Sequence, residues 1–264
     1  MVLLMLTGNT NPYNIKSFKV NDKRVTIYFY RSVNSTQNLA RIFAEKNYPE
    51  YTIIVADEMT MGRGRLNRKW YAGKGGIWFT IILRPKINVE EITFFNILSS
   101  LAVAKTIENI CGIKPCIKWP NDVLLDNKKV CGILIESSIK ENMVRYLLIG
   151  IGINLENKLN EEIRDTAITL REKGCIASRE KILIYLISIF EKLYSFFEKN
   201  KKSYILENWK SFSYTLNKKV RVFLNNGEII EGKAIAIDIN GALKIREKNG
   251  NIYTVTYEEV YHVR

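Results

Sequence analysis

The strongest constraint on the fold is a pair of apolar runs with a basic, glycine-rich loop caught between them. Tyr51 to Ala56 is a short run rich in β-branched residues, and Gly75 to Leu83 is another, led by glycines and followed by Pro85. Such runs predict buried strands. Between them lies Gly62-Arg63-Gly64-Arg65-Leu66-Asn67-Arg68-Lys69-Trp70. Its glycines let the backbone turn tightly and approach a ligand, while the alternating arginines present planar, permanently charged donors suited to a carboxylate or phosphate. Held between two buried strands, this loop reads as one that closes over an anion. The plainer alternatives are a solvated basic loop or a flexible RNA-binding run.

The rest of the chain supplies a scaffold around that loop. Residues 1 to 24 read as a polar-ended leader, with Asn9, Asn11, Pro12 and Asn14 as turn formers, and Val25 to Tyr30 as a strand. Ser32 to Gln37 precede a helix over 38–46, where hydroxyls and amides serve as N-caps or line a pocket beside unpaired N–H groups. Val89 to Ile110 has apolar residues at near-helical spacing and predicts a long amphipathic helix packed on the sheet. Arg179 to Phe197 predicts a second such helix and Tyr204 to Phe212 a shorter one.

A second informative stretch is Ile117-Lys118-Trp119-Pro120-Asn121-Asp122-Val123-Leu124-Leu125, followed by Lys129 and the strand Val130 to Ser137. Pro120 has no ladder donor and holds Trp119 extended, so Asn121 and Asp122 fall on a turn between strands. A hairpin whose Asn and Asp only make the turn fits equally well. The strand Arg145 to Ile153 ends in Gly150-Ile151-Gly152-Ile153-Asn154. It lacks the third glycine and downstream acid of a dinucleotide fingerprint, and no phosphate-cradling Gly-x-x-x-x-Gly-Lys-Ser/Thr loop occurs, so any nucleotide is bound by another device. From Asn217 onward the period changes to short alternating runs separated by Asn226-Gly227, Asn240-Gly241 and Asn249-Gly250, the pattern of a small antiparallel barrel or sandwich.

Among 264 residues, 47% are hydrophobic and 25% charged, enough for one large and one small domain. The formal net charge of +13 fits a nucleotide, a nucleic acid or an acidic protein partner without choosing among them. Cys111, Cys116, Cys131 and Cys175 have no Cys-x-x-Cys spacing and His262 is the single histidine, so zinc is not expected and buried, reduced thiols are. No run reaches a membrane span and Met1 to Leu6 is too short for a signal core, which predicts a soluble, cytoplasmic protein.

Together, in this order and spacing, the two stretches resemble the biotin protein ligases over residues 25 to 264. Gly62 to Trp70 looks like that family's biotin- and adenylate-covering loop. Lys118-Trp119-Pro120-Asn121-Asp122 with Lys129 to Leu134 looks like its second signature. The resemblance implies an α/β (α+β) fold, a mixed β-sheet flanked by helices with a small C-terminal SH3-like β-barrel. The implied division is a leader at 1–24, a catalytic domain at 25–214 and the barrel at 215–264. The leader is too short for the helix-turn-helix of repressor members, so specific DNA binding is not implied.

The implied substrates are biotin and ATP with Mg²⁺, and the implied partner is a biotin carboxyl carrier protein. A homodimer is left open. The implied biotin contacts are Ser35, Thr36, Thr60, Gly62, Arg63, Lys129 and Gly132; those to ATP or the adenylate are Arg63, Arg65, Arg68, Trp70, Lys118, Asn121, Asp122, Lys129 and Asn154. Arg63, Lys118, Asp122 and Lys129 are the implied catalytic set, and no metal ligands are assigned. Where the family has a glutamine for the biotin ureido group, this chain has Met59, a poor substitute for an amide. A lipoate- or octanoate-handling enzyme of related fold is the near alternative, and a non-catalytic nucleic-acid-binding protein is the distant one.

Overall fold

The computed structural model describes residues 11–257 and 259–263; Asn9 and the His262 side chain fall outside that description. Strands β1 (Asn14–Val20), β2 (Lys23–Val33), β3 (Thr52–Met59), β4 (Ile77–Leu83), β5 (Cys116–Lys118), β6 (Asp122–Leu125), β7 (Lys128–Lys140) and β8 (Met143–Ile153) form one sheet. Its order is β1-β2-β3-β4-β8-β7-β6-β5. Only β2 and β3 run parallel, and helix α1 (Thr36–Glu45) makes the crossover between them that a parallel pair requires.

The apolar runs around the basic loop are continuous because both faces of the sheet are covered. Ile54, Ala56 and Ile82 pack with Leu39, Ala40 and Ala44 of α1. Ile53, Val55, Phe79 and Ile81 belong to the larger core containing α2 (Phe94–Cys111), α3 (Arg179–Glu198) and α4 (Lys202–Lys210).

Helix α2 differs from the expected amphipathic helix. It begins at Phe94, after a separate 3₁₀ turn over Val89–Glu91, and is buried on nearly every side. The sheet covers one face while α3 and α4 cover the other, so its buried polar residues depend on internal partners, which, among the described residues, the Asn96 amide and the Ser99 hydroxyl lack and Ser100 and Thr106 find. Ser100 and Thr106 hydroxyls donate to carbonyls of the preceding turn, and Trp209 Nε1 donates to Ser100 Oγ at 3.0 Å.

Two further expectations are corrected. The leader contains an edge strand: β1 pairs antiparallel with β2 around a turn at Asn21. Among the described residues it stands at the edge of the sheet, and its burial is partial, which weakens the alternation that marks a strand. Reduced, buried thiols were expected throughout, yet Cys111 and Cys175 form a disulfide with a Cα–Cα separation of 4.8 Å, and Cys116 is exposed. Folding brings the end of α2 against the turn before α3, a proximity that a sequence separation of 64 does not encode. Only Cys131 is a buried thiol, and burial pushes its pKa up.

The C-terminal unit comprises β9 (Lys219–Leu224), β10 (Ile229–Ile237), β11 (Leu243–Arg246), β12 (Ile252–Val255) and β13 (Val260–Val263), ordered β12-β11-β10-β9-β13. Gly227, Gly241 and Gly250 take φ of 89°, 91° and 93°, so the Asn-Gly pairs turn as expected. Among the described residues β12 and β13 do not pair, leaving an open antiparallel sheet without the closure of a barrel. Buried Trp119 fastens this unit to the main sheet. Its N–H donates to Thr215 Oγ1 at 2.9 Å and its Nε1 to Gly241 O at 3.1 Å. Among the described residues no helix is long and apolar enough to cross a membrane.

Candidate active site

A cavity of about 520 Å³ opens where the start of α1, the loop between β3 and β4, the first half of β7 and the end of β8 converge. At the α1 end, Ser35 occupies the N-cap position in an extended conformation, but its side chain makes no capping bond. Its hydroxyl therefore remains available to the cavity it lines. Thr36 donates its backbone N–H and hydroxyl to the Met59 sulfur at 3.4 and 3.6 Å, and Thr80 donates to Thr36 Oγ1 at 2.9 Å. A thioether accepts weakly at such distances, so Met59 orients Thr36 without offering an amide to a ligand.

The basic loop folds back on itself as a flap. Met59 N–H donates to Ala72 O at 2.9 Å, Trp70 N–H to Gly62 O at 2.9 Å and Gly64 N–H to Arg68 O at 2.7 Å. Leu66 and Asn67 turn the tip with φ of 53° and 56°. A Cβ on Gly62 would stand 2.4 Å from Trp70 O, so this glycine permits close approach of the flap's own arms. Gly62 and exposed Thr60, both expected at the ligand, do not line the cavity.

Trp70 reaches from the flap across the sheet. A Cβ on Gly152 would meet its indole at 2.7 Å and one on Gly132 at 2.9 Å. These glycines are partners across β7 and β8, and together they form a bare floor on which the ring lies. The ring meets Trp78 edge-on at 6.1 Å, while its Nε1 is buried without a hydrogen-bond partner. An unsatisfied buried donor is costly, and an acceptor on an entering ligand would relieve it.

The cations are placed unevenly. Arg63 donates to Asn38 Oδ1 at 2.8 Å and pairs with Glu136 at 3.2 Å; its Nε is buried without a partner. Lys129 Nζ stands 2.5 Å from Asp122 Oδ1 and 5.3 Å from the centre of the Trp70 ring. Lys118 is half-buried beside them, and burial, reinforced by the Lys129 charge and opposed by Asp122, lowers its pKa. Arg68 lies exposed on the rim, whereas Arg65 donates to backbone carbonyls of the C-terminal unit.

Asn121 and Asn154 shape the cavity wall. Asn121 Nδ2 donates to Ile133 O at 2.9 Å, and Ile133 N–H returns a bond to Asn121 O at 3.0 Å. Buried Asn154 donates through Nδ2 to Lys129 O at 3.4 Å and accepts from Asn157 at 3.2 Å. Lys129 is also held by Thr166 O, which accepts its N–H at 2.8 Å, and by Ile168, whose N–H donates to its carbonyl at 3.0 Å. Gln37 lies there as one of the amides expected to line a pocket at the start of α1, whereas sequence reasoning missed Thr166, Ala167, Tyr214 and Val263, all of which line the cavity. None carries a local motif. Among the described residues no group of three or more His, Cys, Asp or Glu side chains could hold a metal.

Residues 28–154 match the biotin/lipoate A/B protein ligase family, and residues 215–263 match the biotin protein ligase C-terminal domain. The chain is 35% identical over 239 residues to a bifunctional ligase/repressor of Bacillus subtilis, covering 88% of this chain and 73% of the relative. It is 28% identical to a biotin–[acetyl-CoA-carboxylase] ligase of Mycobacterium tuberculosis, covering 80% and 79%. Among solved structures, a biotin protein ligase from Aquifex aeolicus in complex with biotin and ATP superposes with a TM-score of 0.76 at 32% identity, covering 90% of this chain and 98% of that one.

Proposed function

The chain belongs to the biotin protein ligase family, and from that premise we propose that it activates biotin with ATP and transfers it to a lysine of a biotin carboxyl carrier domain in the cytoplasm. In the first step a biotin carboxylate oxygen bonds to the α-phosphorus as the bond to pyrophosphate breaks, giving biotinyl-5′-AMP. In the second, the carrier lysine nitrogen bonds to the acyl carbon, the acyl–phosphate bond breaks, and AMP leaves.

The carrying observation is the convergence of both sequence signatures on one cavity, with Arg63, Trp70, Lys118, Asp122 and Lys129 around a glycine floor. Ser35 and Thr36 sit at the end suited to the biotin ring. Gly132 and Gly152 with Trp70 provide a flat surface and an aromatic wall for adenine. Arg63, Arg68, Lys118 and Lys129 supply preplaced positive charge for the carboxylate and phosphates, where charge develops in both steps.

The ion pair between Lys129 and Asp122 gives these residues complementary roles. An anion arriving beside Lys129 competes for its ammonium group and frees Asp122. A carboxylate placed there can accept the proton that the carrier lysine must lose, its unperturbed pKa being about 10.4. Were Mg²⁺ to arrive with ATP, Asp122 is the carboxylate of the cavity lining that would help hold it. It would supply charge neutralisation at the phosphates. Asn121 and Asn154 act by holding β7 and Lys129 in place.

ATP–pyrophosphate exchange with biotin, lipoate or octanoate offered separately tests this reading. Exchange with biotin alone, followed by label transfer to a carrier domain, is the expected result. Exchange with lipoate or octanoate in place of biotin would overturn the substrate, and no exchange with any of them would overturn the activity.

A further inference from the structure

Arg65 ties the tip of the flap to the C-terminal unit. Arg65 Nη2 donates to Tyr257 O at 2.7 Å and, in a shorter contact, to Val260 O. Its guanidinium carbon lies 4.3 Å from the centre of the Tyr257 ring. Tyr257 and Val260 are 7% and 0% exposed and flank the bend between β12 and β13. A guanidinium over an aromatic face, with N–H groups donating to carbonyls, makes both contacts that its planar donor fork suits.

The same unit grips the opposite wall of the cavity. Trp119, inside the second signature, donates to Thr215 and Gly241, while Val263 lines the chamber itself. One wall is therefore fixed to the C-terminal unit by a buried tryptophan, and the flap over the other is held to it by an arginine. The flap's own cross-arm bonds run from Met59–Ala72 up to Gly64–Arg68, leaving residues 65–67 as the turn at its end.

We propose that Tyr257 is a positioning residue, and that with the carbonyls of residues 257 and 260 it latches Arg65 so that the flap stays closed over the mixed anhydride. Arg65 thereby acts through the C-terminal unit, in place of the phosphate-clamping role its sequence position implied. The proposal rests on the ligase reading for its ligand. The latch itself is built from this chain's own residues, which lets the two be tested apart. Loss of the Tyr257 ring removes stacking from Arg65 without altering any charged group near the phosphates.

The test uses the full chain with Tyr257→Leu, Arg65→Lys and the double variant. Three quantities are read: trypsin cleavage within residues 62–70, retention of adenylate after gel filtration, and ATP–pyrophosphate exchange. Each single variant is expected to raise loop cleavage and adenylate release about tenfold, the factor equivalent to about 1.4 kcal/mol of lost latch. The double variant should be no worse than the poorer single one, since both remove the same contact. Exchange by Tyr257→Leu at saturating substrates should stay within roughly threefold of the wild type, because the charged groups are untouched.

Wild-type cleavage and retention in folded Tyr257→Leu, or multiplicative effects in the double variant, overturn the latch. If Tyr257→Leu fails to fold by circular dichroism, Arg65→Lys decides alone, and wild-type resistance to trypsin overturns it. Absence of exchange in the wild-type protein would defeat the ligase reading, while trypsin cleavage without ligands would still decide whether the latch exists.

Discussion

Gly152→Ala separates the site from the fold with a single methyl group. The new Cβ would stand 2.7 Å from Trp70 Nε1 and 2.8 Å from two ring carbons. Ordinary contact is about 3.5–4.0 Å, so the indole must lift by roughly 1 Å. The backbone is no obstacle, because Gly152 is not among the glycines with positive φ. Alanine within a strand recovers about 0.5–1 kcal/mol of conformational entropy relative to glycine, while disturbing the edge-on contact with Trp78 forfeits about 0.5–1.5 kcal/mol.

Those effects nearly cancel, so stability in urea should change by less than about 1 kcal/mol. The chemistry should not be spared: displacing a reacting group by about 1 Å costs on the order of a hundredfold. We expect kcat/KM for ATP to fall by about that factor, with a red shift in Trp70 emission as the ring leaves its floor. Near-normal kcat/KM with a shifted emission would refute the assignment of this floor to the nucleotide. A stability loss large enough to account for the lost activity would refute the separation of roles.

Met59→Gln should tighten biotin binding by about 2- to 12-fold in calorimetry, the equivalent of one neutral hydrogen bond; unchanged or weaker binding would show that the thioether is not the deficit. Burial raises the pKa of Glu191 from its reference of 4.5, against the lowering influence of Asn21 and Lys23. Its protonated form is therefore favoured by folding, and the associated stability is present below the unfolded pKa and lost as pH rises through the folded one. Glu191→Gln should accordingly gain stability relative to the wild type between pH 4 and pH 7 in urea melts, and a flat or opposite trend would contradict this. Reducing Cys111–Cys175 should lower unfolding stability by up to about 4 kcal/mol for a loop of this length, whereas a count of four free thiols in the native, unreduced protein would contradict the pairing.

The elements legible in the sequence are those whose signal is local. The runs of β3 and β4, the helix at 179–198 and the three Asn-Gly turns declare themselves through burial, period or turn chemistry. Strand β1 does not, because its exposed edge tolerates polar residues, and α2 hides its role because it is buried all round. The site was visible as two motifs, and their convergence on one cavity came from folding. Arg65 marks the limit: an arginine in a basic, glycine-rich loop announces an anion, and nothing local says that its acceptors are carbonyls 192 and 195 residues away.

That separation has a consequence during synthesis. At about 5–20 residues per second, the segment carrying Tyr257 and Val260 emerges roughly 10–40 s after the flap it will hold. Throughout that interval the basic flap is present on the nascent chain without its tether. The flap's anchorage thus depends on residues made long after it, so a chain interrupted between Asn154 and Tyr257 would carry both sequence signatures and still lack the tether across its cavity.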